Sequence, residues 1–493
     1  MAAFVGPSNR ERSAPIDAEA SVNVFVSTVA SAGNAKHATL MGTPGLKPFL
    51  TITPEVVCRG MFAEDGRTFA VVGTHLYELN LSGLTVTDRG TVANDGKMVF
   101  FASNGRGGEQ LAIVSAGILY IFRFTTNVLT IPVLPLTNPA AVVRFVDGFF
   151  LLLEANSIRV WYSAIFDGTL WNALDFFARS QSSDQLVGLD VLRTRIWCFG
   201  SHTTQIYYDS GDALNPFIPE AGSLMEEGLV APTAQGQQGE AMIWVSQDTE
   251  GHGRIVRATT AQVERISTPA IDVALASYPT LSDCEILVYE QEGHPFACFT
   301  FPSGGFVSGE DGVTWGWDDR EKSWHQRAGF DEGRGIQTRW RARGFCTVGQ
   351  TVDDLLVGDY QTGRIASLDL NTFTDYGVTI LRRRRAPYLS EENQWLFLDR
   401  FELGIEAGVG LLLGQGVDPQ LLLRVSGDSG KTWGPGIAAP LGHLGVYLER
   451  AVWCRLGRHR ADRLVVEVTQ SDPVRCVWGP GAWLKARPGS GQL

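Results

Sequence analysis

The stretch "VSGDSGKTWG" (425–434) places a hydroxyl, a carboxylate, a glycine and an indole at fixed offsets, in Ser426, Asp428, Gly430 and Trp433. A second stretch, "VSGEDGVTWG" (307–316), repeats the offsets with Ser308, Glu310, Gly312 and Trp315. A hydroxyl beside a carboxylate is raw material for nucleophilic or acid–base chemistry, but the same residue types also close tight turns. The adjacent acid pairs Glu226-Glu227, Asp318-Asp319 and Asp353-Asp354 would serve a glycosidase only at a set spatial separation, and they read as solvated turn residues. Eight histidines include no HxH or HExxH pair, so metal ligation has no support. His325 in "SWHQRAG" and His459 in "GRHRADR" read as surface or interface groups. There is no phosphate-binding loop and no G-x-S-x-G elbow, and "GRGGEQ" (105–110) follows no strand-to-helix pattern. No catalytic residue, metal or cofactor is expected.

The pattern S-x-D-x-G-x-x-W resembles the Asp-box of sialidase-type propellers and several other β proteins. Its physics is local: the carboxylate accepts N–H groups of its own turn, the glycine supplies positive φ, and the tryptophan is expected to bury its ring beneath the hairpin. In families that carry it the box lies away from the active site, so the resemblance implies a folding device. The earlier copy has Glu310 where the box wants Asp and reads as degenerate. The "F/Y-R-I-P" segment of sialidases is absent. A carbohydrate-active or carbohydrate-binding propeller remains an alternative, as does a non-enzymatic propeller adaptor.

These residues sit in a glycine-rich chain: 493 residues contain 55 glycines, 22 prolines and 13 tryptophans without a collagen-like period, a composition suited to many tight turns. A protein that grips nucleic acid through its phosphates needs a basic face, and the net charge of −12 argues against one. The one basic run, Arg382, Arg383, Arg384 and Arg385, reads as a solvated face or a contact with an acidic protein partner rather than a nucleic-acid contact. Seven unpatterned cysteines read as reduced core thiols. The N-terminus lacks a signal-peptide core, and no run approaches the ~18 apolar residues of a membrane span. The expectation is a soluble chain folded in a cytoplasm.

The positioning elements are almost all strands. "TFAVVGTHLYELNLSG" (68–83), "QLAIVSAGILYIFRFTTNVLT" (110–130) and "VVRFVDGFFLLLEANSIRVWYSA" (142–164) are strand–turn–strand units, with Ser115-Ala116-Gly117 and Asp147-Gly148 as turns. The beat recurs at roughly 40–50 residues, the period of propeller blades. The chain therefore reads as all-β: an extended arm over 1–50, a propeller of six or seven blades over 51–378, and an antiparallel, sandwich-like domain over 379–493.

Several segments in order then resemble one family. They are "VNVFVSTVASAGNAKHATLMGTPGLKPF" (22–49), with an Asn-containing strand before Thr43-Pro44-Gly45-Leu46, and the stretch 160–234 with its "FGSHTTQIYY" and "APT" elements. "TWGWDDREKSWHQRAG" (314–329) and the closing "WCRLGRHRADRLVVEVTQSDPV" (453–474) complete the set. Together they resemble the packaged-DNA stabilisation, or tail hub and nozzle, proteins of podovirus-type phages. The resemblance implies a virion protein without catalytic residues, in a homohexameric ring below the portal and head–tail adaptor. Such a ring closes the DNA exit channel and holds fibres or spikes and a plug or needle, with DNA passing through unspecifically. An acidic wall suits such a conduit. The arm (1–50) and the last domain (379–493) are expected to make most contacts between subunits or with the adaptor.

Overall fold

The computed structural model describes residues 4–10, 18–30, 36–53, 56–179, 181–213, 215–248, 250–305, 311–349, 354–386 and 394–488. Seven four-stranded units succeed one another among these residues, their first strands beginning at Cys58, Phe100, Ala140, Leu186, Gln235, Glu285 and Ala342. Blades one to five are self-contained antiparallel sheets, each strand paired with its neighbour in sequence. The hairpin signals act as expected: Asp147-Gly148 and Ala116-Gly117 both take positive φ, as two-residue turns between twisted strands require. Inward residues such as Leu151, Leu153, Ile196 and Tyr207 fill the space between neighbouring blades and leave little of any sheet face in water.

The seventh blade is completed from the far end of the chain. Its strands Ala342–Thr347, Leu355–Asp359 and Gly363–Asp369 are joined on the outside by Gly45–Thr53, which pairs antiparallel with Gly363–Asp369. Blade seven then meets blade one at a very close approach: a Cβ on Gly344, whose φ is +64°, would lie 2.9 Å from the Gly60 Cα. Only two glycines permit that contact.

The stretch read as an arm laid on something is thus laid on its own chain. Ala18–Val22 lies between the last strand of blade six and Arg382–Arg385, and continues the blade-six sheet through Val465–Gln470, Gln420–Ser426 and Ile437–Pro440. Val24–Ala30 and Lys36–Gly42 join Val477–Pro488, Trp395–Ile405 and Ala451–Arg460 in a five-stranded sheet. These two layers form the sandwich, with Leu398, Phe401, Leu423, Trp453, Val466 and Trp478 between them. Asn23, at φ +55°, pins the seam: its amide donates to the Ala328 and Leu381 carbonyls at 2.8 and 3.0 Å and its Oδ1 accepts the Ala328 N–H at 2.9 Å. No described helix is long and apolar enough to cross a membrane.

Candidate functional site

The strand Gln420–Ser426 ends in the turn that carries the Asp-box pattern. Buried Ser426 Oγ accepts the Gly430 N–H at 2.8 Å and donates to Asp428 Oδ1 at 2.7 Å. Asp428 also accepts the Thr432 hydroxyl (2.6 Å) and the N–H groups of Thr432 (2.8 Å) and Lys431 (3.0 Å). The Thr432 hydroxyl first, then its N–H and Ser426, hold the Asp428 carboxyl down at about 2. A carboxylate committed to its own backbone is a structural acceptor, not a base. Gly430 sits at φ +82°, where a Cβ would be strained. Trp433 departs from expectation: its ring is half-buried, with the Arg385 and Arg424 guanidiniums 5.1 and 5.6 Å from its centre. The neighbouring strands present cations at that level, so the indole packs on charge instead of entering the core.

The earlier copy is only partly visible. Ser308 and Glu310 lie outside the described residues. Gly312 has φ +77°, and Trp315 is buried in blade six with its indole N–H donating to the Tyr278 hydroxyl at 3.0 Å.

The arginine run corrects the reading of a solvated face or partner contact. In Arg382–Arg385 the side chains alternate across a central strand, and Arg382 and Arg384 are fully buried. Arg384 donates to the Phe4 carbonyl (2.6 Å), the Pro7 carbonyl (2.7 Å) and Ser21 Oγ (2.9 Å), and pairs with Glu19. Arg383 and Arg385, half-buried, approach buried Glu467 at 3.6 and 2.6 Å. Arg382 has no hydrogen-bond acceptor among the described residues and lies 5.8 Å from the Phe373 ring. Consecutive charges look solvated in sequence because their partners are distant, 82 residues away for Arg385 and Glu467 and 365 for Arg384 and Glu19.

The histidines and acids also sort differently from expectation. His325 is buried rather than a surface or interface group; burial first, then the nearby Arg327 charge, push its pKa well below the ordinary value. His459 is half-buried, with Nε2 2.9 Å from the Leu456 carbonyl. Asp318 is no solvated turn acid: it is buried and 2.7 Å from His294 Nδ1, while His294 Nε2 lies 3.3 Å from Ser27 Oγ. Ser27, His294 and Asp318 have the order of a hydrolase triad, a juxtaposition between residues too distant in sequence to anticipate. None is more than 6% exposed, and Phe25 and Phe296 pack against the imidazole. A substrate carbonyl does not reach Ser27 in this packing; the trio fastens the strand Val24–Ala30 to blade six. Asp319 pairs with Arg257 and Lys322, and Glu227 with Arg254. Glu226 is exposed, and Asp353 lies outside the described residues. No group of three or more His, Cys, Asp and Glu suited to a metal occurs among the described residues. The seven cysteines are free, and all but Cys454 are buried.

The first strands of all seven blades enclose a central cavity of about 760 Å³, lined among others by Phe62, Phe101, Phe145, Val288 and Phe345. Arg144 and Asp190, 2.8 Å apart, neutralise each other on its wall. Glu64, Arg193, Gln235 and Gln237 complete a wall of mixed polarity. In the sandwich domain, the neighbouring turns around 408–417 and 442–448 leave Leu412, Leu413, Leu444, Tyr447 and Leu448 in water, with Leu448 95% exposed.

A seven-bladed propeller strapped by its own N-terminal strands to a β-sandwich defines a scaffold of interlocked β domains. The family described as "Bacteriophage P22 Gp10, beta-propeller" matches residues 17–373, and that described as "Bacteriophage P22 Gp10, beta-sandwich" matches residues 382–476. The chain belongs to this packaged-DNA stabilisation protein family and is a virion-associated structural protein of a short-tailed bacteriophage. No curated protein sequence is significantly similar to it. Among solved structures, similarity extends to a chain of a mitotic checkpoint complex (9% identity, TM-score 0.40, covering 66% of this chain and 93% of that one). It extends also to the N-terminal domain of Nup159 (10%, 0.43, 70% and 97%) and to the computationally designed Ika8 protein (9%, 0.35, 75% and 100%). At these TM-scores the likenesses carry no functional weight.

Proposed function

We propose that the chain is the ring-forming hub of the phage tail, a homohexamer below the portal and head–tail adaptor. The ring closes the DNA exit channel and offers seats to fibres or spikes and to a plug or needle. The observation that carries this reading is the match of both domains, in order, to the packaged-DNA stabilisation family. Two physical features support it. The chain's two ends are tied into one body through the strand Gly45–Thr53 and the seam at Asn23, which suits a part loaded by packaged DNA. A monomer that keeps Leu412, Leu413, Tyr447 and Leu448 in water carries a patch that assembly would cover. The propeller cavity is not the conduit in this reading; DNA passes through the space that the ring encloses. Cryo-electron microscopy of the virion tests it: a ring of this chain in the tail is expected, and its absence from the tail would refute the proposal.

A further inference from the structure

Charge is segregated along this chain. Residues 1–378 hold 26 Lys and Arg against 42 Asp and Glu, whereas residues 379–493 hold 15 against 11. The excess of the last segment gathers on one surface. The strands Trp395–Ile405, Ala451–Arg460 and Val477–Pro488 carry six cations and two acids. Register places them in cross-strand rows on the face turned away from the core: Arg460 beside Trp395, then Arg458–Phe397–Arg487, then Cys454–Arg400–Lys485. Arg455, displaced by a bulge between these rows, is exposed as well. The acids neutralise only part of the face, Asp399 pairing with Arg487 and Glu402 with Arg400. Arg458 lies over the rings of Trp395 and Phe397 at 4.3 and 5.8 Å, and Trp483 is 55% exposed on the next row.

We propose that this face binds the phosphate backbone of DNA. This deepens the conduit reading by naming the surface that faces the genome, a basic face in place of the acidic wall expected from the net charge. Charge complementarity selects an anionic partner, and the conduit reading supplies one in the exiting genome, whose backbone carries a charge at every phosphate. Arg458 and Arg460, like Lys485 and Arg487, are two residues apart on one strand, about 6.8 Å. Trp395 and Phe397 pack against Arg458, and the exposed rings offer stacking surfaces to any unpaired bases. With four net positive charges the grip is weak, sequence-independent and salt-labile, so it restrains a DNA end without arresting its exit.

The test is fluorescence anisotropy of the full chain with a labelled duplex oligonucleotide as salt is raised from 50 to 200 mM. Four neutralised phosphates predict a log–log slope of about −3.6, an affinity loss of about 150-fold over that range. The triple variant Arg455→Gln, Arg458→Gln, Lys485→Gln should flatten the slope by about 3. These residues are exposed, so folding should survive, and an unchanged circular dichroism spectrum checks that. Replacing the exposed propeller cations Lys47, Lys97 and Arg123 by Gln should leave the slope unaltered. No binding at 50 mM salt, or equal loss from both triple variants, overturns the proposal. So does self-association at low salt that the sandwich triple abolishes without any duplex binding, because the face would then serve an acidic neighbour. Duplex binding lost in the sandwich triple while virions show no ring retires the ring and keeps the DNA face. A ring with no duplex binding does the reverse.

Discussion

Blades one to five and the seam joining blades six and seven to the sandwich are built from the same kind of strand but have different interiors. In the early blades the buried charges are few, and Arg59 and Glu154 are served locally. Arg59 donates to the carbonyls of Gly73, Ala93 and Lys97 and to Asp95. Burial works against ionisation of Glu154, yet bonds from Thr137, Trp161 and Asn138 draw its carboxyl down to about 2. At the seam, charges are buried without full sets of partners. The Arg327 guanidinium is caged by Tyr289, Phe296 and Trp340 at 4.9–5.0 Å, and its two terminal nitrogens have no acceptor among the described residues. A repeating blade is stabilised by its own hairpins, whereas the seam depends on groups brought together only when the chain closes on itself.

Removing residues 1–53 should have the largest effect. It deletes the outer strand of blade seven and three strands of the sandwich, so little soluble, cooperatively unfolding protein is expected; a soluble product with full β content would break the distinction. Two arginines on one strand should then behave oppositely. Arg384→Met strands Glu19 and three oxygen acceptors and should cost ~3–5 kcal/mol in chemical denaturation. Arg382→Met replaces an unpartnered buried cation by apolar volume and should be neutral or stabilising by ~1–4 kcal/mol. In the early blades, Leu152→Ala should cost ~2–5 kcal/mol as a plain cavity.

Acid–base behaviour sharpens the contrast with smaller effects. Burial raises Asp375 to about 7, against lowering by the Leu46 N–H and the charges of Arg341, Arg382 and Arg327. The folded state therefore keeps a proton that the unfolded chain releases near pH 4, and stability falls as pH rises from about 4 to about 7. The slope is at most about 1.4 kcal/mol per pH unit and should vanish in Asp375→Asn. Glu154 has the opposite sign: its contribution is present above the unfolded carboxyl range and lost as pH falls towards about 2. The smallest effect belongs to Asp428→Ala, expected to speed amide exchange at Lys431 and Thr432 with little change in global unfolding.

The early blades were legible because their information is local. Period-two apolar runs and turns such as Asp147-Gly148 are complete within about 40 residues, and they disclose the all-β class and the propeller rhythm. The seam was not, for the same reason reversed. Arg382–Arg385 reads as a solvated face or partner contact until Glu19 and Glu467 are placed beside it, and the stretch 1–50 reads as an arm laid on an unknown surface until Gly45–Thr53 is seen to finish a blade begun at Ala342. At the turn 426–433, the bonds of Ser426, Asp428 and Gly430 lie within reach of the pattern itself; the position of Trp433 does not, because Arg385 and Arg424 decide it. The basic face escaped notice because its six cations are spread over three strands and about ninety residues of an acidic chain.

The central claim is that this chain forms a ring around the exiting genome with its five-stranded sheet towards the DNA. Cryo-electron microscopy of the virion, resolved well enough to place the sandwich, tests it most directly. The expected result is a closed ring in the tail whose lumen is lined by Arg400, Arg458, Lys485 and Arg487. A ring whose lumen is lined by the propeller, or a tail without this chain, would contradict it.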